Sequence, residues 1–483
     1  MSLTKKEALA LYKQGRNSVV NTLIVYSKNN DELKKENDEL RQKLQVYQSK
    51  EVTRPSGKEA PFEKLTKKKR KKKSGQKKGH KGKTRAKAPR IDKVEEHVLE
   101  ECPNDGAPLG DPVETRSRVI EDINLDGIKT EFTQHDINRY YCPEEQKIVE
   151  PKVDAAPAGC SIGVNLIVLT AWLHYMIGVS VGGVMKIIGL SYSTEISRGG
   201  LIGMWNKFAQ HLHPMYDQIK GNINESAVLN CDETGWRVDG ATWWMWVFCD
   251  HHWCYYLIDK SRAGKVVLKV LGEILNGILI TDFYGAYNGI VAIAKQKCLY
   301  HLFTELKKVS VRNASQEWKD FQKGFKRLLK DGIRLLSIKK DISLDDFNRK
   351  KDFILKRFEE FLIKHTTSDD KDVNRILKRL RRHYDEIFTF LDYDGVSPYN
   401  NHGEQQIRPA AVNRNNSHGN RSTRGAATQS ILMTVFQSLK LQGFCPVRES
   451  IRMFKQSIRG ETPTWPIKQD QSNHLSNETK ITA

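Results

Sequence analysis

The sequence predicts an α/β protein whose sheet-forming core is interrupted by an all-helical insertion. Three observations carry that expectation. Short runs rich in β-branched and aromatic residues, "SAVLNCDE", "TWWMWVFCD", "HWCYYLID" and "GILITDF", crowd residues 226 to 283. From about Thr304 to Asp394, apolar residues recur at helical spacing instead. Two of the apolar runs also end in aspartate, Asp232 and Asp282, fifty residues apart.

The chain has 483 residues and a formal charge of +21, from 79 Lys plus Arg against 58 Asp plus Glu. Residues 1–50 read as an N-terminal helix with a short coiled coil, because Leu33, Asn37, Leu40, Leu44 and Tyr47 alternate steps of four and three. Residues 51–90 form a basic linker. Between Lys64 and Arg90 there are 15 Lys or Arg and no acid, which leaves +6 for the rest. Such a block repels itself and suits a polyanion, above all nucleic acid. Its candidate DNA-binding side chains are Lys68, Lys69, Arg70, Lys71, Lys72, Lys73, Lys77, Lys78, Lys81 and Arg85. Eight cysteines without regular spacing point to a reducing compartment rather than a disulfide scaffold.

Residues 91–155 carry two Cys-Pro turns, at Cys102 and Cys142. They look like halves of a zinc ribbon, but Asp105 and Glu145 stand where the second cysteine of each pair belongs. The site reads as degenerate, and zinc is not expected. Residues 156–222 read as helical, with the rhythm of a helix-turn-helix around "SYST". Within them, Ser161 to Met185 has no Asp, Glu, Lys or Arg, long enough to span a bilayer. Asn165, His174 and four glycines dilute it, so buried helices are expected and no membrane partner.

Residues 223–303 give three meandering strands, a helix and a further strand, which match the opening of a ribonuclease-H-like fold. The insertion then spans 304–395. Residues 396–460 complete the core with C-terminal helices, and the polar tail 461–483 reads as disordered.

If the strands ending at Asp232 and Asp282 are neighbours, two carboxylates lie side by side and need a counter-cation. Hard oxygen donors suit Mg²⁺ or Mn²⁺, and two such ions about 3.5–4 Å apart activate a nucleophile and stabilise a leaving oxygen. Glu404, in "NNHGEQQIRP", opens a later helix and is the third candidate, with Arg408 one turn on. Glu233 should face away from Asp232 and support it. His301, after Cys298 in "CLYHLF", is a further group that could approach the site.

These motifs resemble the IS66 family of insertion-sequence transposases. The resemblance runs from roughly Gly75 to Phe454 and rests on "SGQKKGHKG", "DETGWRV", "TDFYGAY", "NNHGEQQIRP", "NRNNS" and "STRGA" in this order. The chain departs from the pattern at Gln405, where the family has Arg, and in its incomplete cysteine pairs. The resemblance implies a DDE core with Asp232, Asp282 and Glu404 as catalytic metal ligands for two Mg²⁺ or Mn²⁺ ions. It also implies cleavage at element ends and strand transfer into target DNA. The partners expected are double-stranded DNA, a second copy of the chain or more, and accessory proteins of the same element, in the nucleoid-associated cytoplasm of a prokaryotic cell. Two alternatives stay open: a non-catalytic DNA-binding derivative, and a metal-dependent nuclease on the same core.

Overall fold

The computed structural model describes residues 87–124, 129–366 and 368–467. The coiled-coil reading of 1–50, the DNA-binding side chains from Lys68 to Arg85 and the tail beyond 467 lie outside the described residues.

The region of the Cys-Pro turns is a four-stranded sheet. Strands β1 (Lys93–His97), β2 (Glu114–Asn124), β3 (Lys129–Cys142) and β4 (Lys147–Val149) take the order β1-β3-β2, with β4 on the end of β3. β1 runs parallel to β3, and β2 and β4 antiparallel to it. The sequence shows only the turns here, for a physical reason. Arg116, Arg118, Glu121 and Asp122 in β2 break the apolar alternation that marks a strand. In β3, by contrast, His135, Ile137, Tyr140 and Cys142 are all buried.

Four helices follow: α1 (Val164–Tyr175), α2 (Val181–Tyr192), α3 (Arg198–His211) and α4 (His213–Asn224). The charge-free stretch is broken after Tyr175, and Ser180 caps α2 by accepting from the Gly183 N–H. Among the described residues no helix is long and apolar enough to cross a membrane. At the helix-turn-helix-like segment, Ser193 takes a left-handed conformation (φ 50°) and Ser197 caps α3.

The second sheet has five strands in the order β7-β6-β5-β8-β9. They are β5 (Val228–Val238), β6 (Ala241–Cys249), β7 (Cys254–Asp259), β8 (Ile274–Thr281) and β9 (Val291–Lys297), with α5 (Lys265–Leu271) between β7 and β8. β5, β6 and β7 form an antiparallel meander, whereas β8 and β9 run parallel to β5. Gly272, at φ 72°, ends α5, so β8 starts at Ile274, three residues earlier than the apolar run suggested.

The faces of β8 alternate between two cores. Leu275 and Leu279 pack with α1, α3 and the C-terminal helices, while Ile278 and Ile280 pack with the helical insertion. That insertion comprises α6 (Leu299–Arg312), α7 (Gln316–Ser337), α8 (Leu344–Lys364) and α9 (Lys371–Arg382). Phe321, Phe325 and Phe358 lie at its centre, fully buried.

The chain closes with α10 (Asn401–Ser417), α11 (Thr423–Leu441) and α12 (Pro446–Arg459). α11 lies along the edge strand β7. Its hydroxyls at 430, 434 and 438 accept from three alternate strand N–H groups: Ile258 to Ser430 (3.1 Å), Tyr256 to Thr434 (2.9 Å) and Cys254 to Ser438 (3.0 Å). Alternate N–H groups of an edge strand would otherwise lack partners, and here side chains satisfy them.

Candidate active site

β5 and β8 are neighbours in parallel, with Val228, Leu229 and Asn230 paired to Ile278, Leu279 and Ile280. The offset is fifty residues. Carried two residues further, it sets Asp232 level with Asp282 at the carboxyl end of β8, the place where open α/β sheets present their ligand sites. Asp232 is 4% exposed and accepts from the Glu233 N–H at 2.9 Å. Asp282 is half-buried and accepts from the Tyr284 N–H at 2.8 Å.

Glu404 arrives on the first turn of α10, and one side chain sets where that turn lies. Asn400, fully buried at the N-cap, accepts the Glu404 N–H at its backbone carbonyl (3.0 Å), but its side chain makes no bond to its own helix. Its Nδ2 donates to the Cys231 carbonyl (2.9 Å), its Oδ1 accepts from Asn230 (2.9 Å), and its N–H donates to the Cys298 Sγ (3.2 Å). Asn400 thus ties the start of α10 to the residue before Asp232. Gly403 permits this, since a Cβ there would stand 2.9 Å from the Asn400 Oδ1. Asn400→Ala and Gly403→Ala are each expected to lower the unfolding free energy by about 1–3 kcal/mol, the range for stranding buried hydrogen-bonding groups. Urea denaturation measures it. Two variants as stable as the parent would show that these bonds do not hold the helix.

Glu233 faces away from Asp232 and is fully buried. Its Oε1 receives the Arg262 Nη2 at 2.7 Å and Nε at 3.1 Å, and its Oε2 receives the Tyr287 hydroxyl at 2.5 Å. The Arg262 guanidinium lies over the rings of Tyr284, at 4.1 Å, and Trp244, at 4.4 Å. Burial, then the Asp282 charge, pushes the Glu233 carboxyl up to about 7 despite these donors. Arg262 and Tyr287 were not found from the sequence, where nothing in their spacing links them to Glu233.

A second cation missed from sequence is Lys297, fully buried at the end of β9. Its Nζ donates to the Thr281 hydroxyl (3.0 Å), beside Asp282, and lies 3.5 Å from Glu386. His301 sits half-buried in the first turn of α6. Ligand atoms of His301, Cys298 and Glu404 all lie within 4.8 Å of one another. Burial pushes the Cys298 thiol up to about 11, so sulfur is neutral there. Arg408 is exposed and makes no ion pair with Glu404. Arg414 instead reaches the site's strand, its Nη1 donating to the Thr234 hydroxyl (2.8 Å) and the Gly235 carbonyl (2.7 Å).

The donor set fits hard divalent cations. Burial pushes the Asp232 carboxyl well above the usual range, and the charges of Glu233, Asp282 and Glu404 push it further. A buried carboxylate facing like charges is stabilised by a cation coordinated among oxygens. Of the sequence-predicted carboxylates, Asp282 and Glu404 each lie within electrostatic reach of Asp232. Elsewhere, Cys102, Asp105 and Cys142 bring their ligand atoms within 4.8 Å of each other, with the Cys142 thiol 3.6 Å from Asp105. Glu145 turns away to Asn104 (2.5 Å) and Lys147 (2.6 Å).

The family model described as Transposase IS66 family matches residues 159–428, more than half of the chain, from just before α1 into α11. No match is found among the curated proteins.

Proposed function

The chain belongs to the IS66 transposase family, and on that premise we propose that it cuts DNA at the ends of an insertion sequence and joins them to target DNA, using Asp232, Asp282 and Glu404. What supports this reading is the fifty-residue register between β5 and β8, which extends to Asp232 and Asp282, together with the Asn400 bond that ties the start of Glu404's helix to the residue before Asp232. The strand order, an antiparallel meander followed by two parallel strands, supports a ribonuclease-H-like core.

In the first step a water oxygen attacks the phosphorus at the element's end. One P–O bond forms, the bond to the 3′ oxygen breaks, the water gives up a proton, and the departing 3′ oxygen takes one up to become a hydroxyl. In the second step the freed 3′ hydroxyl attacks a target phosphodiester and displaces the target's own 3′ oxygen, so the number of phosphodiester bonds is conserved. Bound Mg²⁺ or Mn²⁺ supplies the charge that acidifies the nucleophile and offsets charge on the leaving oxygen. Asp232, Asp282 and Glu404 would hold these ions. Glu233, clamped by Arg262 and Tyr287, fixes the strand that carries Asp232. Arg408, exposed one turn beyond Glu404, is placed for a DNA phosphate, and His301 lies where it can orient Glu404. The basic segment from Lys68 to Arg85 supplies sequence-independent affinity. Two ends must be held together, which calls for a dimer or larger assembly on DNA.

The test is incubation with linear DNA bearing the element's own ends and Mg²⁺ or Mn²⁺, beside Asp282→Asn. Cleaved and joined products that vanish in the variant are expected. Cleavage without joining would assign a nuclease. Binding without chemistry in both proteins, with the accessory proteins present, would leave only a DNA-binding derivative.

A further inference from the structure

Outside the family match, in the first sheet, β1 and β3 pair in parallel with Glu95 directly beside His135. His97, two residues on, projects from the same face of β1. The His97 Nε2 lies 2.9 Å from the His135 Nδ1, and a Glu95 carboxylate oxygen lies 3.6 Å from that same nitrogen. All three ligand atoms fall within 4.8 Å of one another. Four ligands at zinc's bond lengths of roughly 2.1 Å stand about 3.4 Å apart in a tetrahedron, so the observed spacing brackets that of a chelate. We propose that Glu95, His97 and His135 form a binding site for a divalent transition-metal ion of the zinc class.

The donor chemistry selects the ion. Two imidazoles and one carboxylate suit Zn²⁺ and its neighbours in the first transition row, and not Mg²⁺ or Ca²⁺, which prefer oxygen throughout. His135 is 2% exposed, and its Nε2 is buried without a hydrogen-bond partner. The His135 Nδ1 faces both His97 and Glu95, and a direct hydrogen bond to His97 pairs two rings that cannot both be charged. Three protein ligands leave a fourth position. They line a cavity of about 330 Å³ shared with Asp122, Glu131 and Asp154, roomy enough for water to complete the shell. This is a different place from the Cys-Pro turns. Cys142 lies seven residues beyond His135 on one continuous strand, roughly 23 Å at the rise of an extended chain. An ion here would tie the short parallel strand β1, held on one side only, to the centre of its sheet.

The test uses the full chain stripped with a chelator and titrated with Zn²⁺ by calorimetry, and with Co²⁺ by visible absorption. Its companions are His97→Ala, Glu95→Gln and the double variant Cys102→Ser, Cys142→Ser. His97 and Glu95 are half-buried, so their variants are expected to fold, and circular dichroism verifies it. Expected is one Zn²⁺ equivalent that His97→Ala weakens by at least about 100-fold and the cysteine variant leaves intact. The bound Co²⁺ should lack the intense charge-transfer band of thiolate ligands. A wild-type chain that takes up no Zn²⁺, or one whose uptake is lost in the cysteine variant and unchanged in His97→Ala, overturns the proposal. DNA chemistry plays no part in the readout, so this site and the carboxylate site fail independently.

Discussion

Asp232→Asn should abolish end cleavage, by ~10³-fold or more, and at the same time make the metal-free protein harder to unfold. The two effects have one origin. Asp232 is buried and is pushed well above the usual carboxylate range by burial and then by Glu233, Asp282 and Glu404. Without cations, holding that group costs stability at neutral pH. Asparagine keeps the bond from the Glu233 N–H, whose acceptor is the side-chain oxygen, and removes the charge. A gain of about 1–3 kcal/mol is expected in urea denaturation with a chelator present. Added Mn²⁺ should then stabilise the parent and not the variant. A variant that unfolds more easily than the parent in chelator would mean that Asp232 is satisfied by the fold alone.

The second large effect is on pH. Glu233 goes from 4.5 in the open chain to about 7 in the folded one, through burial first and the Asp282 charge second. The folded state therefore keeps a proton that the unfolded state has already released between those values. This group's contribution is fully present below about pH 4.5 and is lost as pH rises through about 7, a change of roughly 3 kcal/mol. The raised Asp232 has the same sign. Divalent cations reverse the trend, because they bind the ionised carboxylates and release protons. Denaturation in chelator at about pH 5.5 and 7.5 should show lower stability at the higher pH, and Mn²⁺ should add more at 7.5 than at 5.5. Equal increments at the two values would argue that the carboxylates do not take up the metal.

Much of the candidate site's framework was legible because its two strands announce themselves. Each is an apolar run closed by an aspartate, and the fifty-residue interval recurs as the strand register. Glu404 was found through its helix. What holds these groups in place was not legible. Asn400 reads locally as a cap, yet its partners are 169 and 170 residues away on β5, and no local pattern encodes such a pairing. Strand β9 was passed over because Lys295, Gln296 and Lys297 resemble solvent-facing sequence, although Gln296 and Lys297 are fully buried. The charged residues of β2 hid the first sheet in the same way. Polar residues buried by distant partners look exposed until the partners are known.

The hydroxyls of α11 along β7 bear on how far the catalytic unit extends. The family match stops at residue 428, inside α11 and before Ser430, Thr434 and Ser438. A fragment trimmed to that boundary would keep every carboxylate of the site and lose all three acceptors. Its β7 would present bare N–H groups and the apolar faces of Tyr256 and Ile258, a template for pairing with other unfolded chains. The folding unit runs past the limit of sequence likeness, through the rest of this helix and into α12. The last turns of α11 act as the selvedge that keeps the sheet from fraying into its neighbours.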